Sequence, residues 1–156
     1  MECIILIYKQ MWLYNSTPIS TIEDLPQSTF GFIYITTHTP TGKKYLGKKS
    51  IFHTLNKKLG KKELAEQPIT RGRAKTTKQI IKESDWKTYY GSEEFIKQAI
   101  RNKQHDEFTR EIIHFVTNKK QLTYYECKYQ FMYGVLESDE FTNSDILGKF
   151  YSKDLI

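Results

Sequence analysis

The 156 residues are 38% hydrophobic and 27% charged, which excludes a disordered or membrane-embedded plan and suits one domain with an extension or long loop. A formal net charge of +6 favours polyanionic partners without separating DNA from RNA or an anionic membrane. The charge forms one block: fourteen Lys and Arg stand against four Asp and Glu from Lys43 to Lys87, and ten against fourteen elsewhere.

The opening Met1-Glu2-Cys3-Ile4-Ile5-Leu6-Ile7-Tyr8 begins with an acid, and its apolar run is short and lacks a small-residue cleavage site. A first strand is expected there rather than a signal peptide. Residues 1–28 read as a strand-rich extension: Asn15-Ser16-Thr17-Pro18 has the residue types of a turn, and residues 19–22 are placed to pair back on the first run. Pro26 then interrupts regular structure. Cys3 and Cys127, the only cysteines, offer neither a disulfide framework nor metal-ligand spacing, so a reducing cytoplasm is the natural setting.

Gly31-Phe32-Ile33-Tyr34-Ile35-Thr36-Thr37 is β-branched and aromatic throughout, and a turn over residues 38–42 leads to Lys43-Lys44-Tyr45-Leu46-Gly47-Lys48. This pattern predicts a hairpin. Alternation puts Phe32 with Tyr34 and Tyr45 with Gly47, but does not by itself decide whether the two pairs share one side. Eleven tyrosines are costly to bury unless their hydroxyls find partners, so some should face a polar site or a ligand.

Residues 50–84 are polar, basic and weakly periodic, punctuated by Gly60, Pro68 and Gly72. They read as a long basic loop with a short helix over residues 75–83. Such a run is usually a solvated surface. Its position directly after the hairpin favours a track for a phosphate backbone instead, with Lys48, Lys57, Lys58, Arg71 and Lys75 as contacts. Trp86, Tyr89 and Tyr90 are residues on which bases could stack; Trp86 reads better as a core anchor, and Tyr90 stays open between the two.

Ser92 is an expected N-cap, followed by Glu93 and Glu94 in the first turn and by a stripe of Phe95, Ile96, Ala99 and Ile100. Residues 108–116 alternate as a third strand, and residues 119–136 form the longest predicted helix. On that helix Leu122, Tyr129, Met132 and Leu136 define a core-facing stripe, and Glu126 lies on or beside it. A carboxylate on an apolar face needs a partner. Two readings stay open: a salt bridge to a lysine at the stripe's edge, or a ligand for a hard cation such as Mg²⁺, which needs only one or two carboxylates.

Phe32-Ile33-Tyr34, a turn, and Tyr45-Leu46-Gly47 resemble the paired motif of the GIY-YIG nucleases, with Phe for the first Gly and Leu for the second Ile. Taken alone, the two tyrosines read better as core residues of a hairpin. Tyr89-Tyr90-Gly91-Ser92, Phe108-Thr109-Arg110-Glu111-Ile112-Ile113, Glu126 and Asn143 follow in an order similar to phage homing-type members. The resemblance implies that Tyr34 orients or deprotonates the attacking water, that Tyr45 supports it beside the scissile phosphate, and that Glu126 holds one divalent ion, Mg²⁺ or Mn²⁺. It also implies that Asn143 supports the site. The arginine that the family places soon after the second motif is absent, leaving Lys49, Arg71 and Arg73 as candidate phosphate-binding cations. His53 is a candidate auxiliary base or DNA contact, although a lone histidine is more often a surface residue.

The expected fold is α/β (α+β): a small antiparallel β-sheet flanked by helices, with residues 1–28 as a strand extension and 29–156 as the nuclease-like domain. The expected activity is metal-dependent hydrolysis of duplex DNA, of phage homing or DNA-degrading type, acting in a host cytoplasm. The alternative is a catalytically inactive nucleic-acid-binding module of the same fold.

Overall fold

The computed structural model describes residues 10–68 and 71–155, so the strand expected over residues 2–8 lies outside the described chain. In chain order the elements are β1 (Trp12–Tyr14), β2 (Thr17–Ile19), β3 (Gly31–His38), β4 (Lys44–Ser50), β5 (Phe52–Lys58), helix α1 (Lys61–Ala65) and β6 (Thr77–Glu83). They continue with helix α2 (Glu94–Arg101), β7 (Phe108–Val116), helix α3 (Lys119–Met132), β8 (Asp145–Ile146) and β9 (Phe150–Tyr151). Two compact units result, one running to Ile51 and resuming at Asp85, the other spanning Phe52–Ser84. Among the described residues no helix is long and apolar enough to cross a membrane.

The larger unit is built on a five-stranded sheet in the order β2-β1-β7-β3-β4. It is antiparallel except between β1 and β7. Asn15 and Ser16 take left-handed φ values of 47° and 64° and make the turn between β1 and β2. Thr17 and Pro18, expected in that turn, instead open β2, an edge strand where proline is tolerated. The N-terminal segment is thus part of the sheet. Trp12 is buried, with its ring 4.9 Å from Phe32 and 5.1 Å from Tyr34.

Alternation along the strands gives the sheet two different sides. Ile33, Leu46 and Val116 form one cluster with Leu122 of α3 and with Val135 and Ile146. Aromatic rings fill the other side, where Phe32 lies edge-on to Trp12, Tyr34 and Trp86. Beside them Tyr90, Ile96, Ala99 and Phe108 make a second cluster. A bulge separates the two registers of β3 and β7 at Ile33/Tyr34. Ile113 joins the α3 cluster, and the His114 ring lies 4.1 Å from Tyr125.

Both long helices start or stop differently from expectation. Glu93 rather than Ser92 caps α2, its carboxylate accepting from the Ile96 amide at 3.3 Å, and Phe95 is exposed. Helix α3 ends at Met132 because Gly134 adopts φ +56° and the Val135 amide donates back to the Gln130 carbonyl at 3.1 Å. Met132, expected in the core, is 67% exposed.

The second unit is an antiparallel ribbon of β5 and β6 in continuous register from Phe52↔Glu83 to Lys58↔Thr77, with α1 in the connection. The expected long loop and the expected helix over residues 75–83 are corrected by this pairing. Thr77, Ile80 and Ile81 are β-branched, and the ladder extends into a bond from the Leu59 amide to the Thr76 carbonyl at 2.9 Å.

Candidate active site

The register of β3 and β4 sets Tyr34 opposite Gly47 and Thr36 opposite Tyr45. Both tyrosines therefore point to the aromatic side of the sheet as diagonal neighbours, their ring centroids 6.3 Å apart. Gly47 makes room for them: a Cβ there would lie 2.6 Å from the Tyr34 hydroxyl and 2.8 Å from Tyr45 Cε1. The glycine of the second motif is a packing requirement.

The two phenols differ. Tyr34 is fully buried, and desolvation pushes its pKa well above 10.0, with further upward contributions from Tyr89, Tyr45 and Glu126. Of the two roles expected for Tyr34, orienting the water or deprotonating it, a phenol held protonated in this way suits the first. Its ring lies edge-on to Tyr89 at 6.1 Å, and a side-chain hydrogen bond joins the two residues. Tyr45 is half-buried, its hydroxyl 2.6 Å from Ser92 Oγ. Burial outweighs the lowering effect of that hydrogen bond and raises Tyr45 to about 12.

Lys49 follows Tyr45 and Gly47 on the same side of β4. Its Nζ stands 3.9 Å from the Tyr89 ring centroid and 2.5 Å from Asp85 Oδ1. A cation is thus fixed beside the phenols by cation–π attraction and an ion pair.

Glu126 approaches from the other side of the sheet, on α3, beside the edge strand β4. Its charge raises the pKa of both Tyr34 and Tyr45. Its side chain is 16% exposed, and Oε2 lies 2.7 Å from Lys48 Nζ, which also reaches Thr123 Oγ1 at 3.3 Å. Of the two readings left open for Glu126, the salt bridge is present. A carboxylate has a second oxygen, and a half-buried carboxylate is a donor suited to a hard ion that otherwise keeps waters. Among the described residues no three or more His, Cys, Asp or Glu side chains gather into a cage. The donor set fits a one-carboxylate site and nothing richer.

Asn143 is buried, accepting from the Leu46 amide at 3.0 Å and donating to the Leu46 carbonyl at 2.8 Å. It works with a bond from the Thr142 amide to the Lys44 carbonyl at 2.8 Å to cover the outer edge of β4. Tyr90, one of the residues on which a base could stack, is buried: the Arg110 guanidinium lies 4.1 Å from its ring centroid, and His105 and Phe108 flank it. That expectation is corrected, because no ring face is open to a ligand. His53, Lys57, Lys58, Arg71, Arg73 and Lys75 all belong to the ribbon unit, and all are exposed.

Three contributors were named in the sequence but not given their part at this site: Tyr89, Ser92 and Arg110. Arg110 is buried on β7, its guanidinium 4.6 Å from the Trp12 ring centroid. It donates to the carbonyls of Lys87 (2.9 Å), Tyr89 (2.7 Å) and Gln10. Desolvation lowers its pKa to about 10, which still leaves it charged at neutral pH. An arginine between Phe108 and Ile112 on the inward side of a strand was the available signal.

Phenols crossing on neighbouring antiparallel strands above a glycine, with a helical glutamate at the sheet's edge, mark a GIY-YIG nuclease domain. The family model described as "Putative endonuclease segE, GIY-YIG domain" matches residues 12–154, and the chain belongs to that family. No curated protein and no solved structure matches it. The family gives the chain an endonuclease role on nucleic acid.

Proposed function

We propose that the chain hydrolyses phosphodiester bonds of duplex DNA with one Mg²⁺ or Mn²⁺ ion. The observation that carries this reading is the single cluster of Tyr34, Tyr45, Tyr89 and the Lys49 ammonium, with the Glu126 charge acting on both motif phenols. Tyr45, the more accessible phenol, holds the water or a phosphate oxygen through its hydroxyl, oriented by Ser92. Tyr34 stays protonated and fixes the positions of Tyr45 and Tyr89 from beneath. Lys49 meets the phosphate as a point charge in place of the family arginine, with Arg73 or Arg71 of the ribbon unit as the alternative cation. Glu126 would hold the ion, which when bound supplies positive charge to the phosphoryl group and the leaving oxygen. Asn143 keeps β4 in register. On this reading the activity serves phage homing or DNA degradation within a host cytoplasm.

The second reading, a nucleic-acid-binding module without activity, is favoured by one observation: Lys48 already occupies an oxygen of Glu126. Plasmid nicking in Mg²⁺ or Mn²⁺ decides between them. The nuclease should nick, and Glu126→Ala should lower the rate about 100-fold or more, as expected for loss of a charge-stabilising group. Salt-sensitive DNA binding without nicking, in both metals, would establish the module instead.

A further inference from the structure

Alternation along the β5–β6 ribbon sorts its side chains onto two faces. One carries His53, Leu55 and Lys57 across from Lys82, Ile80 and Lys78; the other carries Thr54, Asn56 and Lys58 across from Ile81, Gln79 and Thr77. Helix α1 serves the first face. Its Glu63 is ion-paired with Lys78, accepts from the Gly60 amide at 2.8 Å, and feels Lys57, so it bridges two lysines that oppose each other in register. On the second face all six residues are exposed, Ile81 by 76%, and Asn56 stands directly opposite Gln79 at the centre.

A two-stranded ribbon exposed on both sides lacks the buried face that makes a small sheet stable alone. Its seven register pairs span about 24 Å, and a two-stranded ribbon is a shape that the major groove of B-DNA admits. The chemistry of the open face matches what that groove displays. Asn and Gln amides pair with the N6 and N7 of adenine, Lys and Thr reach other base edges, and an aliphatic side chain suits the thymine methyl. The charge agrees. Residues 52–84 contain nine Lys and Arg against three Glu, and the rest of the chain has fifteen of each sign, so the ribbon unit holds the whole net +6.

We infer that the ribbon enters the major groove of duplex DNA and reads base edges with this face, Asn56 and Gln79 setting a preference for adenine. The inference rests on the DNA substrate proposed above and adds the part of the chain that chooses the sequence. Lysines of the ribbon and Arg71 and Arg73 of its connection supply attraction to phosphates that is blind to sequence.

Selection of bound duplexes from a randomised library, with the full chain in chelator so that no strand is cut, tests it. The wild type should enrich a motif containing adenine. The double substitution Asn56→Ala with Gln79→Ala should reduce preference for that motif over random duplex about tenfold or more. Because no cation is removed, that variant should keep the wild-type salt slope on random duplex. Placing 7-deazaadenine in the motif should reproduce the loss with the unaltered protein, independently of how the variant folds. No enriched motif, or one that survives both changes, would overturn the inference. Nicking without a ribbon-dependent motif defeats this inference alone. A ribbon-dependent motif without nicking defeats the nuclease reading alone, and absence of salt-sensitive duplex binding defeats both.

Discussion

Replacing Gly47 by alanine tests the packing of the two motif phenols without removing either ring. The new methyl would stand 2.6 Å from the Tyr34 hydroxyl oxygen, 2.8 Å from Tyr34 Cζ and 2.8 Å from Tyr45 Cε1. Comfortable contact needs about 3.5 Å, so the shortfall is about 0.8 Å against three atoms at once. Tyr34 cannot swing aside, being fully buried with Trp12 5.1 Å away and Tyr89 at 6.1 Å. Overpacking of this kind costs about 1–3 kcal/mol, against about 0.4–1 kcal/mol from the stiffer unfolded chain. The net loss of about 1–2 kcal/mol should lower Tm by about 3–8 °C in a chain of this size. Thermal unfolding followed by near-ultraviolet circular dichroism measures it, and nicking should fall with it because displaced catalytic groups lose rate steeply. Gly60→Ala is the control: φ is −72° and the nearest atom to its new Cβ is 3.6 Å away. A Gly47→Ala protein as stable and active as the wild type would refute the crossing of the phenols over this glycine.

Asn143→Ala removes both bonds to Leu46 and should cost about 2 kcal/mol or more, read as a lower urea midpoint. Unchanged stability would mean that the β4 edge is held otherwise. Lys49→Ala should lower nicking about 100-fold, while Lys49→Arg should retain most of it, measured at saturating metal; equal rates for all three would refute the role of Lys49 as the phosphate-binding cation. Stability should also fall at alkaline pH. The folded phenols titrate above the unfolded value of 10.0, Tyr45 at about 12, and burial pushes Tyr34 well up from it. The folded state therefore holds more protons above pH 10, so this contribution is complete below pH 10 and is lost as pH rises through the folded values. The slope is at most about 1.4 kcal/mol per pH unit for each phenol. Urea midpoints between pH 9 and 11.5 should fall less steeply in Tyr34→Phe than in the wild type, and identical slopes would count against the burial of Tyr34.

Strands β3, β4 and β7 were legible because long β-branched and alternating runs leave little room for another period. The ribbon was not. Both its faces are exposed, so its alternate positions carry Thr, Asn and Lys instead of apolar residues, and the pattern that announces a half-buried strand is missing. The motif tyrosines were visible as types, but their common side follows only from the register that sets Tyr34 against Gly47. Glu126 stood out by its place on an apolar stripe; its bond to Lys48 depends on how α3 lies along β4. The places of Tyr89 beside the phenols and of Tyr90 in the core were not legible, because a short 3-10 turn over Trp86–Thr88 precedes them and periodicity has no hold on a turn of that length.

Arg110 and Trp12 together change the meaning of the N-terminal strands. Gln10 accepts from the Arg110 guanidinium that also grips Lys87 and Tyr89, and the Trp12 indole donates to the Trp86 carbonyl at 2.7 Å. The stretch presenting Tyr89 to its neighbours is moored to the beginning of the described chain. Trimming the protein to start at its first recognisable motif would cast off that mooring, and a fragment that keeps it has to begin no later than Gln10.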